Sequence, residues 1–119
     1  MIRCGTDIIE IDRVRKSIDN IGEKFINTIF TENEKRYCES HNKMKYQHYA
    51  ARFAAKEAIY KAFSGKKELS WKDVEIINNE SGRPKVVFLR DMGEDEISVD
   101  ISISHCKDYA TASVVVYFA

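Results

Sequence analysis

The chain has 119 residues, 44% hydrophobic and 32% charged, which is enough for one domain spanning 1–119 and too little for a second. Lysine plus arginine and aspartate plus glutamate both number 19, so the net charge of zero excludes a general nucleic-acid or membrane-surface binder and leaves recognition to local patches. No apolar run approaches the roughly 18 residues of a membrane span, and the N-terminus lacks the pattern of a signal peptide, so a cytoplasmic protein is expected. The three cysteines, Cys4, Cys38 and Cys106, are odd in number and lack metal-ligand spacing, which suits reduced thiols that serve packing.

Ile2 to Ile11 is rich in β-branched residues and reads as a strand with Arg3, Gly5, Asp7, Ile9 and Ile11 on one face. Gly5-Thr6-Asp7 weakens that strand unless something approaches it closely, such as a cation or phosphate; a salt-bridged Asp7 at a strand end is the alternative. Asp12 is placed to cap a helix through Val14, Ile18 and Ile21 whose other faces carry Arg13, Arg15 and Lys16, with Lys24 and Phe25 shortly after. That basic surface with an aromatic neighbour is either a docking face for an acidic partner or a solvated helix. Thr31 and Glu34 form a T-x-x-E capping box that opens a short helix through Tyr37 and Cys38, ending near His41 and Asn42.

The spacing predicts a long helix from about Lys45 to Phe63, stopped by Ser64-Gly65. Tyr46, Ala50, Phe53 and Tyr60 share one side, and Glu57 falls within that apolar stripe. A carboxylate there must be paired, protonated or bound to a cation. Lys61, four residues on, is one available partner, and Arg52 with Lys56 forms a second pair on the neighbouring face.

Leu69 to Asp73 is a short connection with Trp71 packed on the helix, followed by a hairpin of Val74–Asn78 and Lys85–Leu89 around Gly82 and Pro84. After an acidic linker from Arg90 to Glu96, Ile97, Val99, Ile101 and Ile103 alternate with Ser98, Asp100, Ser102 and Ser104, and His105 continues the isoleucine face. Tyr109 to Phe118 forms the closing strand. Helices in the first half and hairpins in the second make an α+β pattern, with the N-terminal strand and helices packed on a mainly antiparallel sheet.

Asp7, Glu57 and His105 each place an ionisable group in an apolar setting on a different segment. Two carboxylates offer hard oxygen ligands without a full cage, which suits Mg²⁺ that keeps waters and takes further ligands from substrate phosphates. Clustered Cys and His for zinc, a nucleophile with a paired base, and a Gly-rich phosphate loop are all missing from the pattern.

Gly5-Thr6-Asp7, followed at long distance by Phe53-Ala54-Ala55-Lys56-Glu57-Ala58-Ile59-Tyr60-Lys61, resembles the two-part signature of the 4′-phosphopantetheinyl transferases, G-x-D then F-x-x-K-E-x-x-x-K. Gly82-Arg83-Pro84, Ser102-Ile103-Ser104-His105 and Tyr109-Ala110 are also similar to that family, and the length fits its small holo-acyl-carrier-protein synthases. Thr6 stands where aliphatic residues are common in the family.

The resemblance implies that Asp7 and Glu57 hold Mg²⁺ against the pyrophosphate of coenzyme A. A serine hydroxyl of an apo-acyl carrier protein then attacks the β-phosphorus and adenosine 3′,5′-bisphosphate leaves. It places Lys61 near the pyrophosphate, and makes Arg52, Lys56, Arg83 and His105 candidates for phosphate or nucleotide contacts, with Gly82 and Pro84 shaping a wall. The general base is left open between Glu57 and a water on the metal. It also implies carrier-protein contacts at Arg13, Lys24 and Phe25, and a homotrimer with sites between protomers, for which the apolar face from Ile97 to His105 is the expected contact. Competing readings are a catalytically silent carrier-protein or nucleotide-binding module and a Mg²⁺-dependent phosphoesterase.

Overall fold

The computed structural model describes residues 1–93 and 96–119. The chain runs β1 (Ile2–Glu10), α1 (Ile11–Ile21), α2 (Glu23–Ile29), α3 (Glu32–Glu39), α4 (Lys45–Phe63), β2 (Val74–Asn78), β3 (Pro84–Phe88), β4 (Ile97–His105) and β5 (Tyr109–Phe118), with 3₁₀ turns at Asn42–Met44 and Trp71–Asp73. The order β1-β5-β4 makes one antiparallel sheet, and β2 with β3 makes a separate hairpin. The α+β reading therefore holds, with one change of topology. β1 is not packed on the sheet but is its edge strand, paired with β5 from Ile2↔Tyr117 to Glu10↔Tyr109. The expected linker 90–96 lies partly outside the described residues.

Helix α4 is the centre of the molecule. One of its sides packs on the sheet through Ala54, Ala58, Ala62 and Phe63 against Val114, Val116 and Ile101; another meets α1, α2 and α3 through Tyr49, Ala50 and Ala51. A helix covered on several sides shows no single apolar stripe. Glu57 accordingly sits at the partly buried margin of α4 and not in the middle of its core face. Gly65, at φ +78°, supplies the left-handed residue that ends the helix.

A Cβ on Gly5 would lie 1.8 Å from the Ala58 carbonyl oxygen, so β1 and α4 touch backbone to backbone. What approaches Gly5 is thus a helix and not a cation or phosphate. The close contact sets Asp7, two residues along the same face of β1, beside the turn of α4 that carries Glu57 and Lys61.

The basic helix differs from expectation at both ends. Asp12 does not cap α1, because the helix starts at Ile11 with Glu10 in the cap position; Asp12 instead pairs with Arg15 and, at 3.0 Å, with Lys16. Gly22 at φ +79° then breaks the chain, and Lys24 and Phe25 belong to a second helix, α2. Ile21 is exposed.

The Thr31 box forms as read, with Thr31 N–H donating to Glu34 Oε1 at 2.9 Å and Glu34 N–H to Thr31 Oγ1 at 3.2 Å. Glu34 is wholly buried, and its carboxylate also accepts from the Ile76 amide at 2.7 Å and from Lys56 Nζ at 2.7 Å. Trp71 packs as expected, its ring 5.3 Å from that of Phe53 and 5.0 Å from that of Tyr60.

Strand β4 keeps its alternation, but its isoleucine face is turned inward onto the α4 core. The outer face of the sheet is the one left open, with Ile2, Ile8, Val115 and Tyr117 about half exposed or more. The cysteines are free, Cys4 and Cys106 exposed and Cys38 buried, where burial pushes its thiol up to about 12.

Candidate active site

The two halves of the signature meet at one place. Lys61 Nζ lies 3.1 Å from Asp7 Oδ1 and 2.9 Å from the Thr6 carbonyl oxygen, so β1 and α4 are joined by an ammonium between them. The expected Glu57–Lys61 pair is not formed, and among the described residues Glu57 has no hydrogen-bond or ion-pair partner. Its carboxyl is pushed up from the usual range, first by burial and then by the negative charge of Asp7, with Lys61 pulling the other way. Asp7 and the Thr6 carbonyl thus already hold a positive charge, and the negative charge of Asp7 is felt at Glu57.

Among the described residues no group of three or more His, Cys, Asp or Glu could hold a metal by itself. The donors present are hard oxygens too few for a cage. That set fits Mg²⁺, which retains waters and completes its shell with phosphate oxygens, and does not fit zinc.

The remaining candidates divide into three groups. Lys56 is placed away from any phosphate contact: it is wholly buried, paired with Glu34 and donating to the carbonyls of Ile29 and Trp71 at 2.8 Å each. Sequence spacing set it beside Arg52, but the tertiary fold gives it a partner 22 residues earlier in the chain. Arg52 is also buried, stacked 4.0 Å from the Tyr37 ring centre and donating to Asn78 Oδ1 at 2.6 Å.

Asn78 in turn donates to the Gly82 carbonyl at 2.9 Å, so Arg52 braces the hairpin turn from behind. Arg83 and His105 are exposed, and Arg83 forks onto Asp100 at 2.8 and 3.0 Å. Pro84 opens β3 opposite Asn78. Arg13 and Phe25 line a pocket of about 120 Å³ with Ile9, Val14, Ser17 and Phe53, and Lys24 is exposed nearby on α2. Phe53 is one turn from Glu57, so this pocket borders the carboxylate pair.

One feature had no signal in the sequence. All three histidines gather around His48, whose ring lies 4.0 Å from that of His41, 6.4 Å from that of His105 and 5.2 Å from that of Tyr37, on which Arg52 stacks. His41 and His48 come from opposite ends of the turn between α3 and α4, and only the fold brings His105 to them. His48 is pushed down to about 4, by burial first and then by His41, Arg52 and His105.

The unfolded chain therefore binds a proton at this site before the folded chain does. Stability from neutral His48 is whole above the unfolded value of 6.5 and is lost as pH falls from there toward 4. His48→Phe should flatten that part of the acid limb in thermal melts; an unchanged slope would assign the acid loss to other groups.

The family profile of the 4′-phosphopantetheinyl transferase superfamily matches residues 3–114. The holo-[acyl-carrier-protein] synthase of Ruminiclostridium cellulolyticum is 46% identical over 121 aligned positions, which cover 94% of this chain and 89% of that protein. A holo-(acyl-carrier-protein) synthase from Bacillus anthracis, solved in complex with CoA (3′,5′-ADP), is 38% identical at a TM-score of 0.82, covering 96% of this chain and 94% of that one. The Helicobacter pylori holo-[acyl-carrier-protein] synthase, solved in complex with coenzyme A, is 31% identical at a TM-score of 0.82, covering 98% of this chain and 100% of that one. With the match running from β1 into β5, and with both halves of the signature meeting at Asp7, Glu57 and Lys61, the chain belongs to the 4′-phosphopantetheinyl transferase superfamily, among its small holo-[acyl-carrier-protein] synthases.

Proposed function

We propose that this chain transfers the 4′-phosphopantetheine group from coenzyme A to a serine hydroxyl of an apo-acyl carrier protein, releasing adenosine 3′,5′-bisphosphate, with Mg²⁺ held by Asp7 and Glu57. The observation that carries this reading is the meeting of Asp7 on β1 with Glu57 and Lys61 on α4, each contributed by one half of the family signature. Relatives named for this reaction, two of them solved with coenzyme A, support the substrate pair.

When bound, Mg²⁺ polarises the β-phosphate and offsets the charge gathering on the departing nucleotide. Asp7 and Glu57 fix its position from two elements held in register by the Gly5–Ala58 contact. Lys61, half exposed on a flexible stem, reaches the pyrophosphate. Arg83 after the hairpin turn and His105 at the end of β4 contact the nucleotide, Gly82 and Pro84 form its wall, and Arg52 holds that wall through Asn78. All of residues 1–119 form one transferase domain, acting in the cytoplasm, where free thiols such as Cys4 and Cys106 stay reduced. Among the described residues no helix is long and apolar enough to cross a membrane.

The reaction makes one adenosine 3′,5′-bisphosphate for each carrier protein converted. Chromatography of the nucleotide product tests this directly. Release that tracks the apo-carrier added supports transfer; release at the same rate without carrier would indicate a phosphoesterase instead.

The carrier protein docks on Arg13, Lys24 and Phe25, beside the small pocket that ends at Phe53. Exposed charges chiefly speed encounter and fade with salt. Arg13→Glu should therefore raise KM for the carrier protein on the order of tenfold at low salt and leave KM for coenzyme A nearly unchanged. If Arg13→Glu combined with Lys24→Glu left carrier kinetics unaltered across ionic strength, docking would have to lie elsewhere.

The chain assembles as a homotrimer with active sites between protomers. The apolar surface available for this is the outer face of the sheet, where Ile2 is 66% and Ile8 65% exposed, and not the β4 isoleucine face, which is used internally. Closed symmetry buries such a face. Sedimentation should give a trimer, and an active monomer at assay concentration would contradict it.

A further inference from the structure

Lys61 already occupies the place that a cation is expected to take. Its ammonium lies 3.1 Å from Asp7 Oδ1 and 2.9 Å from the Thr6 carbonyl oxygen, two hard donors of the kind a divalent ion prefers. A metal ion taking Asp7 Oδ1 competes with that ammonium for the same oxygen, and the repulsion between the two positive charges favours its departure. The side chain is free to leave: Lys61 is 54% exposed, against 16% for Asp7, and its four-carbon stem swings without disturbing α4.

An ammonium expelled into water gains nothing specific, whereas one expelled onto a diphosphate gains a charge-assisted contact. We infer that Lys61 is a tethered stand-in for the divalent cation, which weakens metal binding to the free protein and couples it to the arrival of a diphosphate that takes the ammonium over. This rests on the reading of Asp7 and Glu57 as the metal pair. Linkage then requires the two ligands to strengthen each other's binding by the same factor.

The probe is Mn²⁺, whose free concentration is read by electron paramagnetic resonance, titrated into the full chain with and without coenzyme A and without carrier protein. In wild type, Mn²⁺ should bind weakly alone and markedly tighter with coenzyme A. Lys61→Met should bind Mn²⁺ about three- to tenfold tighter than wild type when no coenzyme A is present, and its gain on adding coenzyme A should shrink by at least that factor. Lys61→Arg, which keeps a tethered cation, should retain the weak binding of wild type.

Lys61→Met binding Mn²⁺ no tighter than wild type in the absence of coenzyme A, while wild type still binds it in its presence, would overturn the stand-in role and leave the metal pair intact. Absence of Mn²⁺ binding in every protein, with or without coenzyme A, would remove the metal reading and this inference together. All three proteins should melt as folded domains, with Lys61→Met slightly lower because Asp7, 16% exposed, loses its partner.

Discussion

Asp7→Asn and Glu57→Gln should each leave the chain folded and cut transfer by about a hundredfold or more in kcat/KM, the scale on which removing one electrostatic contact to a transition state is felt. The reason is chemical and not steric. An amide has the shape of the carboxylate but is a poor partner for a hard divalent ion, and among the described residues no group of three or more His, Cys, Asp or Glu stands ready to replace a lost carboxylate.

The two variants differ in stability. Burial and the charge of Asp7 push the Glu57 carboxyl up, so the folded state binds its proton more readily than the unfolded one. Stability from this group is then present at low pH and is lost as pH rises through the ordinary glutamate range, which makes ionised Glu57 a cost at neutral pH. Glu57→Gln removes that cost, and a small rise in thermal midpoint at neutral pH is expected. Asp7→Asn relieves Glu57 of a neighbouring charge but also loses the partner of Lys61, so its gain should be smaller. Either variant keeping near-normal turnover at low Mg²⁺ would remove the assignment.

Lys56→Met should destabilise the fold by about 3–5 kcal/mol, because it strands a wholly buried Glu34 carboxylate without its ammonium. Against a typical total of about 5–15 kcal/mol for a domain, that is a large share, and a fall of roughly 10–20 °C in thermal midpoint follows for a chain of this size. Burial pushes the Lys56 ammonium down while Glu34 opposes it, the balance expected of a charge kept only by its partner.

The loss reaches further than the pair. Lys56 also ties the end of α2 at Ile29 and the turn at Trp71 to α4, and it immediately precedes Glu57. Lys56→Met combined with Glu34→Gln should recover part of the stability in denaturant titrations, since no unpaired charge is left buried. A double variant no more stable than the single one would show that packing of the lysine stem, and not the charge, sets the cost.

Local features of this molecule were readable from the chain, and features with distant partners were not. The Thr31 box, the Gly65 stop and the alternation of β4 depend on residues within a turn or a strand of one another, and each formed as read. The environment of α4 depends on what surrounds it. A helix flanked by a sheet and by three other helices has no solvent side along much of its length, so reading one apolar stripe put Glu57 too deep and paired Lys56 with Arg52 on the neighbouring face, where both are in fact buried.

The partners that correct this, Glu34 for Lys56, Asn78 for Arg52 and Asp7 for Lys61, lie 22 to 54 residues away, beyond any helical spacing. Gly5 shows the same limit. Its position in a strand signals a close approach, but only the fold reveals that the approaching group is the Ala58 carbonyl. The carboxylate pair was legible because the signature spacing records, in two short pieces of sequence, a meeting that happens only in three dimensions.

Intact mass spectrometry of the carrier protein tests the central claim most directly. Apo-acyl carrier protein incubated with this chain, coenzyme A and Mg²⁺ should gain the mass of one phosphopantetheine group. The gain should disappear when a chelator removes the Mg²⁺ or when the acceptor serine of the carrier is changed to alanine, and should be slowed about a hundredfold or more when Glu57→Gln replaces the wild type. A carrier whose mass is unchanged with wild-type chain and both substrates present, or a gain that persists in full without divalent metal, would contradict the account.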